Sequence, residues 1–148
     1  MVDTGATAHI ITDLTKFSRF DDSFQPKAHS MDLADGTRCS GVAERRGDAK
    51  VTLIDSRGQR RKTTLRQALY IPTYKQDILS VQAATTSGAT VIFAKGNNVL
   101  KCRGTKFNIC VYNRLYFLNT VNDQKDVVNA NVNDQRNAIN QRLSLIHI

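Results

Sequence analysis

An all-β domain, closed into a barrel or folded as a sandwich, is what this 148-residue chain predicts. Its β-rich runs are short, and turn signals at positions 35, 58, 97 and 104 separate them. Only one longer segment carries both the start and the stop of a helix, so alternating βαβ units are not expected. Apolar residues make up 41% of the chain and Trp is absent, which suits one modest core and not two.

Taken in order, residues 13–17 have room for a single turn, capped by Thr12 or Asp13. Residues 29–33 alternate weakly and stop at Asp35-Gly36, a hairpin-type turn. Residues 50–54 form a β-rich run that ends at Asp55-Ser56-Arg57-Gly58. The next strand, 62–71, is closed by Pro72, which cannot donate to a ladder. The one expected helix spans 80–87, starting at the capping residue Ser80 and stopping before Gly88. Strands then follow at 90–94, 99–102, 107–111 and 114–118, with turns at Gly96-Asn97-Asn98 and Gly104-Thr105.

Three regions are expected. Residues 1–121 form the β-barrel domain, and residues 122–142 read as a polar linker or tail. That second stretch holds six Asn, three Asp and three Gln without an aromatic, too little apolar surface to offset the entropy of ordering it. Residues 143–148, Leu143-Ser144-Leu145-Ile146-His147-Ile148, are what CTG TCT CTT ATA CAC ATC encodes. That string is a transposase adaptor end used in sequencing libraries, so these six residues are expected not to be native.

No apolar run approaches the roughly 20 residues of a membrane span. Residues 1–10 lack the charged and apolar regions of a signal peptide, and no membrane partner is expected. Three cysteines argue against a disulfide scaffold and for a reducing, cytoplasmic compartment. His9, His29 and Cys39 lack metal-ligand spacing, so neither a metal nor a cofactor is expected, and Cys102 and Cys110 read as simple thiols.

The formal charge is +8, and six of those charges come from residues 38–66, with nine Lys/Arg against three acids. Arg45-Arg46, Lys50, Arg57, Arg60-Arg61-Lys62 and Arg66 have two readings. They are a solvated hairpin whose cations protect strand edges, or a phosphate-binding face with weak, non-specific nucleic-acid affinity. No Phe, Tyr or Trp lies between 38 and 66, so single-stranded bases have no stacking platform there.

The strongest local signal is Val2-Asp3-Thr4-Gly5-Ala6-Thr7. A D-T-G sequence is in itself an ordinary tight turn, but it also suits aspartic-peptidase chemistry. The carboxylate must sit at a turn in the floor of a cleft, Gly admits a close backbone approach, and the hydroxyl can brace a neighbouring loop. Two carboxylates about 3 Å apart cannot both ionise, so the pair shares one proton. One then takes a proton from water while the other donates to the substrate carbonyl.

Seven blocks in order extend that motif. They are Asp3-Thr4-Gly5-Ala6-Thr7-Ala8-His9, Leu33-Ala34-Asp35-Gly36-Thr37, Val51-Thr52-Leu53 and Ala68-Leu69-Tyr70-Ile71-Pro72. Gln76-Asp77-Ile78-Leu79-Ser80-Val81, Gly88-Ala89-Thr90-Val91-Ile92-Phe93 and Arg114-Leu115-Tyr116-Phe117-Leu118 complete the series. With these blocks the chain resembles the protease region of copia-type LTR-retrotransposon Pol polyproteins.

The resemblance implies a closed, retropepsin-like β-barrel with one short helix and Asp3 as the catalytic carboxylate. Thr4 would be the bracing hydroxyl and Gly5 the close-approach residue, with Ala6 and Thr7 completing the support of the catalytic loop. His9 would pack behind that loop. Ile78, Leu79 and Ser80 would close the active site and enter the helix, and residues 38–62 would supply the hairpin that folds over substrate. Family members usually carry an apolar strand before D-[ST]-G, where this chain has Met1 and Val2, so a truncated N-terminal strand and a fragment are expected. A single D-[ST]-G implies a homodimer with the site on its two-fold axis. The implied activity is processing of the Gag-Pol polyprotein in a cytoplasmic retrotransposon particle. The alternative is a non-catalytic β-barrel remnant or a basic nucleic-acid-associating module.

Overall fold

Two sheets and a separate ribbon take up the short strands that the turns cut out of the chain. The computed structural model describes residues 1–121 and 145–148. In chain order the strands are β1 (Val2–Asp3), β2 (Ile10–Ile11), β3 (Phe17–Phe20), β4 (Ser30–Asp32), β5 (Arg38–Ser40), β6 (Arg45–Ile54) and β7 (Arg60–Tyr70). Next come β8 (Leu79–Ser80), helix α1 (Val81–Thr86), β9 (Thr90–Ile92) and β10 (Val99–Cys102). Strands β11 (Thr105–Tyr112), β12 (Leu115–Leu118), β13 (Thr120–Val121) and β14 (Leu145–His147) complete the order.

The first sheet runs β8-β1-β12-β11-β10-β9, and the second runs β13-β6-β7-β14 with β2 added to β7 and β3 to β6. The fold is therefore all-β and barrel-like, with a single α-helix among the described residues. The chain passes from one sheet to the other at residue 119. There Asn119 accepts a hydrogen bond from the Ile54 N–H at 2.9 Å, and Thr120 pairs with Leu53. Between the sheets lies the main core, with Leu100, Phe107 and Ile109 from one side and Ile11, Leu53 and Leu65 from the other. Each such side chain contributes roughly 1.5–3 kcal/mol by leaving water.

The long β6–β7 hairpin is the spine of the second sheet. Its turn is closed by Asp55, whose carboxylate accepts the N–H groups of Arg57 and Gln59 at 2.9 Å each and pairs with Arg61 at 2.8 Å. Burial opposes ionisation of Asp55, but Arg61 and the two N–H groups outweigh it and hold the carboxyl below the usual range. The turn is also tied to the first sheet by the Ser56 N–H, 2.7 Å from the Lys106 carbonyl.

Sequence and structure agree closely on the later strands, on α1 and on the short turn at Leu14–Lys16, which Asp13 caps by accepting the Thr15 N–H. They differ at β6, which begins at Arg45 rather than at 50. Its first half finds a partner in β3, a four-residue strand without any alternating pattern of its own. Gly47 permits that crossing, because a Cβ there would lie 2.0 Å from the Arg19 carbonyl oxygen. The register of β6 on β7 shifts at the same place, between Gly47 and Ala49.

Residues 38–62, expected to supply the hairpin over substrate, divide between two hairpins, with residues 38–40 in β5 and the rest of the strand residues in β6 and β7. Residues 45–54 and 60–62 belong to the second sheet, and their turn is tied down at Ser56. Among the described residues the ribbon that pairs only with itself is β4–β5, with Met31 opposite Cys39 and Gly36 at φ +84° in its turn. Neighbouring strands claim the edges of β6–β7, and none among the described residues claims those of β4–β5.

At the other end of the chain, β14 lies parallel to β7, with Leu145 opposite Lys62 and His147 opposite Thr64. Ile148 is fully buried, donating its N–H to Thr64 and accepting from Arg66. The linker expected at 122–142, with Leu143 and Ser144, lies outside the described residues.

Candidate active site

Asp3 stands where the chain leaves the core. Val2 is buried between Leu79 of β8 and Tyr116 of β12, Asp3 is half-buried opposite Ser80, and Thr4 and Gly5 are exposed. One Asp3 oxygen, Oδ1, accepts the Gly5 N–H at 2.7 Å. A Cβ on Gly5 would come within 3.3 Å of that oxygen, so the residue after Thr4 is held close to the carboxylate. The other oxygen, Oδ2, has no hydrogen-bond partner among the described residues.

The segment 78–80 meets this loop from behind. Ile78 and Ile10 exchange backbone hydrogen bonds at 2.8 and 2.9 Å, and the Leu79 N–H donates to the Met1 carbonyl at 2.8 Å. Ser80, fully buried, does more than cap α1. Its Oγ accepts the Ala83 N–H at 3.0 Å and donates to the Ala6 carbonyl at 2.6 Å, joining the helix start to the loop after Asp3. Its N–H donates to His9 Nδ1 at 3.0 Å. Asp77, one residue upstream of Ile78, accepts from the Thr12 N–H and hydroxyl at 2.9 Å and pairs with Lys16 at 2.5 Å.

Asp3, Gly5, Ala6, Ile78, Leu79 and Ser80 are thus brought together. The hydroxyls of Thr4 and Thr7 are not engaged, since both residues are exposed and neither hydroxyl has a hydrogen bond among the described residues. No second carboxylate is hydrogen-bonded to Asp3 among the described residues. A cavity of about 800 Å³ opens beside Met1, Lys16, Asp77 and Val121, and Asp3 does not line it.

Ala6 and Ala8 of the loop pack on the cluster of Ile10, Leu69, Ile71 and Ile78, and so do Phe24 and Met31. Met31 belongs to β4, so the self-paired ribbon shares a cluster with the Asp3 loop. No motif announced the Ser80–His9 contact or the Asp77–Lys16 pair. The available signal was the position of each residue inside a quoted block, six residues after Asp3 for His9 and three before Ser80 for Asp77.

Much of the basic stretch is already occupied. Arg38 pairs with Asp32, Arg46 with Asp21 and Arg61 with Asp55, and the Arg45 guanidinium lies 3.5 Å above the centre of the Phe20 ring. No group of three or more His, Cys, Asp or Glu side chains able to hold a metal occurs among the described residues. No helix among them is long and apolar enough to cross a membrane.

The family model described as Pol polyprotein, beta-barrel domain, matches residues 1–89, more than half of the chain and the part that contains Asp3, the β6–β7 hairpin and α1. No curated protein and no solved structure matches the chain.

Proposed function

The chain belongs to the Pol polyprotein β-barrel domain family, and from that membership we propose that it is the aspartic endopeptidase domain of a copia-type retrotransposon Pol polyprotein. The observation that carries the proposal is Asp3, half-buried at the mouth of a loop that Gly5 and Ser80 hold in place. Two copies of the chain, related by a two-fold axis, bring two Asp3 carboxylates together with one proton between them. The ionised carboxylate takes a proton from water as the water oxygen bonds to the scissile carbonyl carbon. The protonated carboxyl gives its proton to the carbonyl oxygen, and the resulting diol collapses as the amide nitrogen gains a proton and leaves.

The substrate is an extended stretch of the Gag-Pol polyprotein, in the cytoplasmic particle of the element. In this reading β4–β5, and not the tied-down β6–β7 turn, covers the bound peptide, since Met31 packs on the cluster that carries Ala6 and Ala8. Residues 1–121 are the domain and 122–142 its linker. Residues 143–148 are adaptor translation, and codons continuing through them in genomic DNA would overturn that assignment.

The test is peptide cleavage near pH 5 as a function of protein concentration, with Asp3→Asn beside the parent. Specific activity is expected to fall on dilution as the dimer dissociates, and the Asn variant to be inactive. Equal rates for both proteins, or a rate strictly proportional to chain concentration into the nanomolar range, contradict the proposal.

A further inference from the structure

Ser80 is where three parts of the site meet, and its backbone N–H is taken up by a side chain rather than by a neighbouring strand. On one side of β8 the ladder with β1 uses the Leu79 N–H. On the other side, Ile78 and Ile10 exchange both of their hydrogen bonds. The next N–H along that side is Ser80's, and it meets His9 Nδ1 at 3.0 Å. An imidazole nitrogen stands where a paired strand would offer a carbonyl. Accepting through Nδ1 places the ring proton on Nε2.

His9 is held firmly in turn. It is 1% exposed, and its own carbonyl accepts the Leu69 N–H of β7 at 2.8 Å. Nε2 is buried and makes no hydrogen bond of good geometry, although the Ile148 backbone lies near enough to act on the ring.

We propose that His9 is the positioning residue of this site: its Nδ1 fixes the Ser80 amide, and through Ser80 it sets the loop after Asp3 against β8 and the start of α1. The consequence for peptide cleavage rests on the peptidase reading above, whereas the fixing of the loop does not. The connection is continuous. Ser80 is the register partner of Asp3, its Oγ holds the Ala6 carbonyl, and the same Oγ caps α1.

The tie needs a neutral ring. A proton on Nδ1 would face the Ser80 N–H with a second donor, and the contact would open. The ionisable residues that the packed elements carry are Asp3 on β1 and Arg60, Arg61, Lys62, Arg66 and Tyr70 on β7, while β2, β8 and α1 carry none, and no charged side chain is among the causes that shift His9. Burial dominates and holds the imidazole down at about 4, with the Ile148 backbone pulling weakly the other way. The contact therefore persists in the mild acid where a proton-sharing carboxyl pair works, and fails below it.

The test is hydrogen-exchange protection of the Ser80 amide in the full chain and in its His9→Asn and His9→Leu variants, with the cleavage pH profile recorded alongside. In the parent, protection falls at least about tenfold between about pH 5.5 and pH 3.5, while the Phe107 amide stays protected. Asn carries its Oδ1 where Nδ1 was and does not titrate, so its Ser80 protection is flat across that range. Leu fills the space without an acceptor, and its Ser80 amide is at least about tenfold less protected at pH 5.5. Parent-like protection in the Leu variant overturns the proposal. So does an Asn variant that follows the parent's pH course, and this comparison decides the matter even if the Leu variant does not fold. A chain that cleaves nothing, yet shows these protection patterns, defeats the peptidase reading and leaves the role of His9 standing.

Discussion

His9 and Asp21 lose their contributions to stability in two separate pH windows. The His9 imidazole ionises at about 4 in the fold against an ordinary 6.5, because it is buried. Between those values the unfolded chain binds the proton and the native chain does not, so stability is full above about 6.5 and falls as the pH drops toward 4. The loss is on the order of 3 kcal/mol. Asp21 is held at about 2 by the Ser23 hydroxyl, then Arg46, then the Ser23 N–H, so its contribution is present above about 4 and disappears as the pH falls to 2. Urea midpoints measured against pH are expected to drop in two steps. His9→Asn removes the upper step and Asp21→Asn reduces the lower, which Asp55 and other hydrogen-bonded carboxyls share, and an upper step unchanged in His9→Asn contradicts this assignment. The residue scale is also where the motif was most readable, since the Asp3–Gly5 contact is made within three residues.

Among the elements, the crossing of β3 over β6 depends on a single absent side chain. Adding a Cβ at Gly47 puts it 2.0 Å from the Arg19 carbonyl, against backbone that Phe17–Ala49 pairing holds in place. Gly47→Ala is expected to cost about 3 kcal/mol in chemical denaturation, with the largest gain in amide exchange on β3. A loss below about 0.5 kcal/mol would mean that β3 moves aside freely. Glycines at 36 and 58 mark turns and can be read from sequence as such. Gly47 lies inside a strand whose partner is some thirty residues upstream, so nothing local identifies it. The same contrast separates α1 from the ribbon. Ser80 and Gly88 delimit the helix within one stretch of chain, but whether β4–β5 or β6–β7 stands free depends on which edges other strands occupy.

Across the whole molecule, the two sheets share one core and are joined through residue 119, so they should unfold together. Phe107, on the first sheet, is fully buried against residues of both. Phe107→Ala is expected to cost about 3–5 kcal/mol and to lower the melting of both sheets in a single transition. Separate transitions for β9–β11 and for β6–β7 would show that the shared core does not couple them. The all-β class, the turn rhythm, the helix ends and the Asp3 loop follow from the sequence by itself, because turn residues, caps and β-rich runs act over a few neighbouring residues. The tertiary structure alone decided that β3 lengthens β6, that β4–β5 is the free ribbon, and that His9 supplies the acceptor for Ser80. Each of those depends on which distant group reaches an unpaired edge or N–H, and His9 and Ser80 are 71 residues apart.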